Sequence, residues 1–293
     1  MTIKIMDDEL LKNYEKSKSV SDSILTFAKS LINENEKLLN IAEKIEQKIA
    51  ELGAKPGFPV NLSINENAAH YTPDLDDPTI LRPGDLIKVD FGVQVNGCIW
   101  DRAFTICVGK KTHPLIEASE SALKEAFKLI KPGTKVFEIS EVVEDTITKF
   151  GFNPIHNLCG HGLEPYNQHT SPVIPNGKNS IQEEIKAGDV IAMEVFTTNG
   201  PGMVKESSPS MIYKYRQEKS VRLWEARKIL ESARTKFEGL PFAKRWLKDI
   251  ASPLKIDIGL RQLLEIDAIM EFPILREAGN GLVAQTEDTV IVK

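Results

Sequence analysis

Two aspartates share one face of a predicted β-hairpin. Asn96-Gly97 favours a two-residue type I′ turn, because both residues tolerate positive φ, and it separates two strand-like segments. Counting outwards from this turn places Asp90 and Asp101 on the same face as diagonal neighbours. The residues opposite them, Gly92 and Ala103, are small and leave room for an ion. Carboxylates that close repel each other unless a cation lies between them, although the same face could instead be the solvent-exposed side of an ordinary hairpin.

A second acid occupies a repeated position. Residues 81–90 and 185–194 both contain a turn with Gly-Asp and then an apolar strand that ends on an acid, Asp90 in the first and Glu194 in the second. Burying an acid in such a strand is costly unless a cation or donor meets it. Glu287 lies in a final predicted strand whose end loosely resembles the end of the first hairpin. The repeat therefore predicts acids from two related halves.

The histidines are unevenly distributed along the chain. Of five histidines, three fall between residues 154 and 172. His161 is flanked by glycines, which let the backbone approach another group closely, as a ligand requires. His169 lies in the same predicted loop, and we interpret His156 as structural. His70, earlier in the chain, is either an ordinary buried histidine or, near an acidic pocket, a group suited to proton transfer or oxyanion contact.

Two Asp, two Glu and one His make a hard, oxygen-rich ligand set. Such a set suits pairs of Mn, Fe(II), Co or Zn ions. Two ions about 3.5 to 4 Å apart can share and ionise one water molecule. The predicted ligands of a dinuclear hydrolase centre are Asp90, Asp101, His161, Glu194 and Glu287.

The elements that must position these residues indicate an α+β fold with two related halves. Helices are predicted in residues 8–52, 119–130 and 136–150 and in a mainly helical block at about 214–270. Strands are predicted at 85–108, up to Thr198, and at 282–292, whereas residues 59–78 look irregular. The last two strands would match the first hairpin, so the helical block is an insertion between them. We predict one catalytic domain of residues 1–205 and 271–293 and an inserted helical subdomain of residues 206–270.

Composition excludes several classes of protein. The chain has 293 residues, 41% hydrophobic and 27% charged, which is typical of a soluble globular protein with a sizeable core. It has no apolar run near the ~20 residues that a membrane span needs, and its acidic start is unlike a signal peptide. Three cysteines without paired spacing argue against a disulfide frame or a thiolate zinc site. We therefore expect a cytoplasmic protein with no membrane partner.

The net charge of −5 conceals a basic segment. Residues 214–249 carry eleven Lys or Arg against five Asp or Glu. Such a segment suggests contact with a polyanion such as RNA. The alternative is a solvated helical surface, because the charges alternate in sign.

With these motifs in place, the chain resembles the type 2 methionine aminopeptidases of the archaeal kind, which have the pita-bread fold. The resemblance extends over nearly the whole chain. It is carried by His169 and by residues 58–59, 67–73, 89–92, 101–105, 160–161, 192–194 and 284–289. The inserted segment 240–247 carries the type 2 assignment.

The resemblance implies that the protein removes the initiator methionine from nascent polypeptides with water activated by two divalent ions. It implies that Asp90 chelates one ion, and that Asp101 and Glu287 bridge both. His161 and Glu194 would hold the other ion. Glu194 would also accept the water proton and pass it to the leaving amine.

The resemblance also assigns the substrate contacts and the oligomeric state. His70 and His169 would contact the scissile amide and stabilise the intermediate, and Phe58 would line the methionine pocket. Gln168 stands next to His169 where the family usually has an apolar pocket residue. The family further suggests a monomer that acts on nascent chains, with the ribosome or its RNA as a possible neighbour of the basic 214–249 segment.

Three other positions depart from the family pattern. They are Thr170 in place of Gly, Val195 in place of Pro or Thr, and Asp288 where His is expected. None is a predicted metal ligand, so the departures bear on the shape of the pocket more than on the chemistry.

Two alternative functions remain open at this point. One is a proline-specific aminopeptidase or prolidase of the same fold, although those enzymes usually carry a separate N-terminal domain of over a hundred residues. The other is a non-catalytic pita-bread protein that binds RNA or a partner. The intact ligand set argues against the second alternative.

Overall fold

The computed structural model describes residues 7–293, which form six α-helices, a short 3₁₀ helix and thirteen β-strands. The helices are α1 (Asp8–Leu31), α2 (Leu38–Glu51), α3 (Pro114–Leu129), α4 (Val136–Lys149), α5 (Trp224–Thr235) and α6 (Pro253–Glu265), with the 3₁₀ helix at Lys244–Leu247. The strands are β1 (Lys55–Pro56), β2 (Asn61–Ile64), β3 (Asn67–Ala69), β4 (Leu86–Val95), β5 (Cys98–Cys107), β6 (Asn153–Pro154), β7 (Cys159–Glu164), β8 (Asn167–Pro175), β9 (Val190–Thr198), β10 (Val204–Tyr215), β11 (Phe242–Ala243), β12 (Ile269–Glu277) and β13 (Val283–Ile291).

A nine-stranded sheet forms the centre of the molecule. Its main path runs β1-β4-β5-β13-β9-β7-β8, with β2 paired to β4 and β6 paired to β9. Helices α1 and α2 pack on β4 through one hydrophobic cluster, and α3 and α4 pack on β9 through another. These clusters contain Phe91 and Met193, whose neighbours in sequence point to the opposite face. The helices therefore cover one face of the sheet and leave the other for the functional side chains.

The two halves repeat each other down to individual hydrogen bonds. In the first half the Gly84 amide donates to the Val108 carbonyl at 2.9 Å, and in the second half the Gly188 amide donates to the Val292 carbonyl, also at 2.9 Å. Strand β9 pairs antiparallel with β13, as β4 pairs with β5. The prediction of two related halves, each with a matched pair of strands, is confirmed.

The register of the first hairpin is the one predicted by the Asn-Gly turn. Asn96 and Gly97 have φ of 50° and 83°. Asp90 lies opposite Ala103, and Gly92 lies opposite Asp101. Both faces of this hairpin are buried, however, so neither is a solvent-exposed side.

Three predicted elements differ from the structure. The helical stretch 8–52 is two helices separated at residues 32–37. Residues 59–78, predicted to be irregular, contain β2 and β3. The inserted subdomain, predicted to be helical from residue 206, begins within the long strand β10, whose residues are mostly exposed or half-buried and so lack a clear apolar alternation.

The inserted block is tied to the body through a second sheet of four strands, ordered β11-β10-β12-β3. Helices α5 and α6 share a hydrophobic cluster that draws all its buried members from within residues 206–270. Strands β10 and β12 nevertheless extend beyond that range, to Val204 and Glu277. The boundary at 206–270 thus stays a prediction. Among residues 7–293, no helix is long and apolar enough to cross a membrane.

Candidate metal centre and substrate cavity

Five adjacent strands of the central sheet each carry one predicted ligand. All five side chains line one cavity on the face of the sheet away from the helices. The ligands, in the order of the strands, are Asp90 on β4, Asp101 on β5, Glu287 on β13, Glu194 on β9 and His161 on β7. The sheet register brings Glu287 opposite both Ala103 and Glu194, which joins the two halves at this point.

The ligand atoms lie close enough to share ions. One donor atom each from Asp101, His161 and Glu287 lie within 4.8 Å of one another. The Nε2 atom of His161 is 3.9 Å from a carboxylate oxygen of Glu194. Gln285 donates weakly to both glutamates, at 3.5 Å to Glu194 and 3.3 Å to Glu287. The structure therefore brings together four of the predicted ligands directly, and Asp90 lies beside them on the neighbouring strand.

The four carboxylates are mostly enclosed and have no cationic partner of their own. Within residues 7–293, no Lys or Arg lies within ion-pair distance of them. One oxygen each of Asp90, Asp101 and Glu287 is buried without any hydrogen-bond partner. Burial raises the pKa of Asp90 to about 7. Burial, followed by repulsion from neighbouring carboxylates, raises the pKa of Asp101, Glu194 and Glu287 well above the usual range.

These observations fit a pair of divalent ions. Orphaned carboxylate oxygens that repel each other are what a cation would satisfy, and removing water from such groups without a partner is costly. The donor set contains one imidazole and no thiolate close enough to complete a tetrahedral sulfur site, which suits hard or borderline divalent metals. The residues present therefore fit a dinuclear metal centre.

His161 is prepared to donate a lone pair. Its Nδ1 lies 3.3 Å from the carbonyl oxygen of Gly162, which can only accept a hydrogen bond, so the proton of the neutral ring belongs on Nδ1 and Nε2 is free. Burial lowers the pKa of His161 to about 4, which keeps the ring neutral near pH 7. The segment predicted to be a loop is the strand pair β7–β8. Its glycines serve strand packing: a Cβ at Gly160 would lie 2.9 Å from the carbonyl oxygen of Ala192.

The predicted substrate residues line a cavity of about 530 Å³ together with the ligands. The rings of His169 and His161 meet edge to face with centroids 4.4 Å apart. Gln168 is buried, and its side-chain oxygen has no partner. Phe58 fills the space beside Gly92, where a Cβ would come within 2.5 Å of its ring. The interpretation that Gly92 leaves room for an ion is therefore wrong, because that room holds Phe58.

His70 is held in an unusual backbone conformation. Its φ is 65°, which is uncommon for a residue with a side chain. Its Nδ1 lies 3.1 Å from the carbonyl oxygen of Pro273, and its ring meets the edge of Phe272 at 5.5 Å. Burial lowers the pKa of His70. A neutral ring with the proton on Nδ1 presents Nε2 as a hydrogen-bond acceptor.

Sequence reasoning missed several walls of the cavity. Asn61 on β2 is buried beside Asp90, and its side-chain oxygen has no partner. Ile212, Pro241 and Phe272 come from the inserted block and the strand that follows it. Only Pro241 lies in a segment that the resemblance had singled out. The polar pattern of β10 gives no signal that Ile212 faces a substrate.

The inserted block also forms hydrogen bonds with the segment that carries His70. Arg245 is buried and donates to the Thr72 hydroxyl at 2.6 Å and to the Pro73 carbonyl at 3.0 Å. Its guanidinium also pairs with Glu46 on α2. Glu46 accepts a further hydrogen bond from the Trp246 indole at 2.9 Å. The block is therefore anchored to the catalytic body by a buried ion pair and not by backbone alone.

The departure at Asp288 has a structural explanation. Arg102 binds both oxygens of Asp288 at 2.7 and 2.8 Å and also reaches Asp22 on α1 at 2.7 Å. Asp288 accepts another hydrogen bond from the Trp100 indole at 2.9 Å. This side chain lies next to Glu287 in sequence but points to the opposite face of β13. Asp288 thus holds Arg102, and Arg102 in turn links the sheet to Asp22 on α1.

Comparisons with known proteins agree with this geometry. The sequence profile of metallopeptidase family M24 matches residues 12–293. The methionine aminopeptidase of Thermococcus onnurineus is 45% identical over 287 residues, which are 98% of this chain and 96% of that protein. A solved structure described as a thermophilic Arx1 superposes with a TM-score of 0.86 at 18% identity, over 97% of this chain and 88% of that one.

The methionine aminopeptidase of Thermotoga maritima superposes with a TM-score of 0.71 at 18% identity, over 100% of this chain and 96% of that one. At such low identity these two structures speak for the fold alone, and the fold is the predicted pita-bread architecture. The family profile and the high identity over nearly the whole chain decide the family. This protein belongs to metallopeptidase family M24, alongside the archaeal methionine aminopeptidases.

Proposed function

We infer that this protein is a metal-dependent methionine aminopeptidase, a hydrolase that removes an N-terminal methionine from peptides. The observation that carries this function is the convergence of four carboxylates and one imidazole, from five adjacent strands, on the cavity that also holds the substrate residues. The relatives that share its full length are methionine aminopeptidases. A prolidase or a non-catalytic partner-binding protein is not favoured by either observation.

We propose individual roles for the ligands. Asp90 would hold one ion, His161 with Glu194 would hold the second, and Asp101 and Glu287 would be shared by both. The central position of β5 and β13 in the row of strands supports the bridging roles, since their carboxylates lie between the outer ligands. Mn, Fe, Co and Zn all fit the donor set.

The bound ions would activate a water molecule and polarise the scissile carbonyl. Glu194 would accept the water proton at its cavity-facing carboxylate and return it to the leaving amine. His70, with Nε2 free, accepts a hydrogen bond from the scissile N–H. His169 on β8 lines the same cavity and would contact the scissile amide and stabilise the intermediate. Phe58 and Gln168 line the pocket for the methionine side chain.

A peptide assay tests this function. Purified protein supplied with Mn or Co should release methionine from Met-Ala-Ser and leave Ala-Pro peptides intact. Preferential cleavage of the Ala-Pro peptide would identify a proline-specific enzyme instead. No cleavage of either peptide by metal-loaded, folded protein would favour the non-catalytic reading.

We propose that the enzyme is of type 2, with residues 206–270 as its inserted subdomain. The segment 240–247 supports this, because Arg245 and Trp246 within it bind Glu46 of the catalytic body. Deleting residues 218–266 and closing the gap with a short Gly-Ser linker tests it. We expect loss of activity, because the deletion leaves Glu46 buried without its partners.

We further propose that the enzyme acts as a cytoplasmic monomer on nascent chains and that the basic 214–249 segment contacts ribosomal RNA. Part of that basic charge is already engaged: Lys244 pairs with Asp74 and Asp257, and Arg216 pairs with Asp267. The remaining exposed cations supply the attraction. Ribosome pelleting at rising salt tests the contact, since binding should weaken steeply with salt. Binding that is insensitive to salt would contradict it, and light scattering would check the monomer.

A further inference from the structure

On the strand that enters the inserted block, a lysine lies two residues beyond a residue that lines the cavity. Ile212 on β10 lines the cavity and lies opposite Phe272 on β12, which also lines it. Lys214 is two residues further along β10, opposite Met270. Because side chains alternate along a strand, Lys214 shares the cavity face with Ile212. It extends that wall outwards from the cavity.

The ammonium group of Lys214 has no acidic partner. Lys214 is half-buried, and within residues 7–293 no carboxylate lies within 4.0 Å of its Nζ. Glu271, the nearest acid on β12 by register, lies opposite Tyr213 and therefore points to the other face. Burial lowers the pKa of Lys214. A half-buried cation without a partner is unfavourable, and a bound anionic group would relieve that cost.

Lys214 also lies close to the part of the cavity that holds the predicted substrate residues. Ile212, two residues before it on the same face of β10, lines the cavity together with His70 and His169. A peptide held at its amino end by the carboxylate cluster and extended along the β10 wall would bring its residues after the scissile bond past Lys214.

We propose that Lys214 is a specificity-determining residue that binds an anionic group of the substrate on the leaving side of the scissile bond. It favours peptides with Asp or Glu at the third or fourth position and disfavours those with Lys or Arg there. The inference rests on the proposed aminopeptidase function and names a substrate class within it. The site is distinct from the methionine pocket, which Phe58 and Gln168 line at the inner end.

The test compares amidated peptides that differ in one charge: Met-Ala-Glu-Ala, Met-Ala-Gln-Ala and Met-Ala-Lys-Ala, with a second set carrying the variable residue at position four. Amidation removes the terminal carboxylate, which would itself bind a cation. The wild-type enzyme should cleave the Glu peptide about fivefold more efficiently than the Lys peptide at low salt, mainly through KM. The ratio should shrink as salt is raised.

Three variants separate this role from a structural one. Lys214→Gln should bring the Glu-to-Lys ratio close to one, Lys214→Glu should invert it, and Lys214→Arg should keep it. Lys205→Gln, which removes an exposed lysine at the other end of β10, is the matched control and should leave the ratio unchanged. A wild-type ratio near one at both positions, or an unchanged ratio in Lys214→Gln, would overturn the proposal.

Failure of the proposed function would look different. Wild-type protein would then leave the neutral Gln peptide uncleaved in the presence of metal. Calorimetric binding of the same peptides would still decide the role of Lys214, because the charge preference is a property of binding. Equal affinity for the Glu and Lys peptides in that measurement would refute it.

Discussion

The two halves of the central sheet share a frame but distribute their functional groups differently. Register equates Asp90, which lies opposite Ala103, with Glu194, which lies opposite Glu287. By the same relation Asp101 corresponds to Gln285, and the acid Glu287 corresponds to Ala103. Each half thus supplies two acids, but the acids of the final strands lie at different positions. The two halves therefore share a backbone frame but not the positions of their ligands.

The frame itself is held by equivalent threonines. The Thr105 hydroxyl donates to the Gln285 carbonyl at 2.7 Å and accepts from the Gln285 amide at 2.8 Å. The Thr289 hydroxyl does the same with Asp101, at 2.8 and 2.9 Å. These two side chains join β5 to β13, which share one ladder pair, Ala103 with Glu287. They connect the halves at the point where the ligands meet.

The halves also fill one position by different means. Gly92 in the first half corresponds to Phe196 in the second. In the second half the ring of Phe196 occupies this position. In the first half the ring of Phe58, a loop residue, lies over Gly92 instead. The first half therefore recruits a side chain from elsewhere to build the pocket, and the second half supplies it from the strand.

The largest expected effect is on activity, when a metal ligand is lost at a position where the two halves carry different residues. Asp101→Asn should lower kcat/KM roughly 1000-fold, because an amide cannot replace a bridging carboxylate. Metal content measured on the purified protein should fall, while the circular dichroism spectrum stays that of wild type. Asp145→Asn, which changes a half-buried carboxylate on helix α4 outside the cavity, is the control and should change neither quantity. Wild-type turnover in Asp101→Asn would remove the proposed bridge.

Metal removal should expose the repulsion among acids drawn from both halves. In the metal-free protein, a carboxyl group whose pKa is raised by folding contributes its full stabilisation below its unfolded pKa, near 4. That stabilisation is lost as the pH rises through the folded-state pKa, which is about 7 for Asp90. The metal-free protein should therefore lose stability from pH 5 to 8. Saturating Mn or Co should add about 4 kcal/mol at pH 8 and less at pH 5.

Thermal unfolding with and without chelator at the two pH values measures this difference. Equal stabilisation by metal at pH 5 and pH 8 would show that the carboxylates are already ionised in the metal-free protein. The same scans on Asp145→Asn should reproduce the wild-type pH dependence, since its carboxylate pairs with Lys178 at the surface.

A methyl group at Gly92 should disturb the packing of Phe58 in the first half of the sheet. Gly92→Ala would place Cβ within 2.5 Å of Phe58 and should cost about 2 kcal/mol of unfolding free energy and raise KM for methionyl peptides. The double variant with Phe58→Ala should recover part of the stability. If Gly92→Ala costs the same in the presence and absence of Phe58, the two residues do not share the site as described.

The smallest expected effect is a loss of unfolding free energy that should be equal for substitutions at the two threonines. Thr105→Val and Thr289→Val each leave a buried amide and carbonyl unpaired and should each cost about 1 to 2 kcal/mol by urea unfolding. Only Thr289→Val should also lower kcat, because its partner is the ligand Asp101. Serine at either position should preserve the hydrogen bonds. Unequal stability losses would argue against an equivalent role in the two halves.

Much of the site was predictable because its determinants are local. The Asn96-Gly97 turn fixes the hairpin register by counting, and alternation then decides which side chains share a face. Glu194 was found because the turn before it is repeated. Acids at the ends of apolar strands are a strong signal, since little else makes them tolerable.

The remainder depends on contacts between distant segments. No local pattern in the sequence reveals that Phe58 fills the space over Gly92, or that Arg102 binds the carboxylate of Asp288. The sequence does not predict strand β10, because its exposed middle lacks apolar alternation, and it therefore gives no indication of the cavity wall at Ile212.

The row of one donor per strand links acquisition of the ions to correct assembly of the sheet. A strand that slips by a single residue turns its donor to the helix-covered side, because alternate side chains point to opposite faces. A chain with any of the five strands misaligned would lack a donor and bind ions poorly. Ion uptake can therefore serve as a readout of native strand alignment during refolding, and bound ions would hold the correctly aligned form against its competitors.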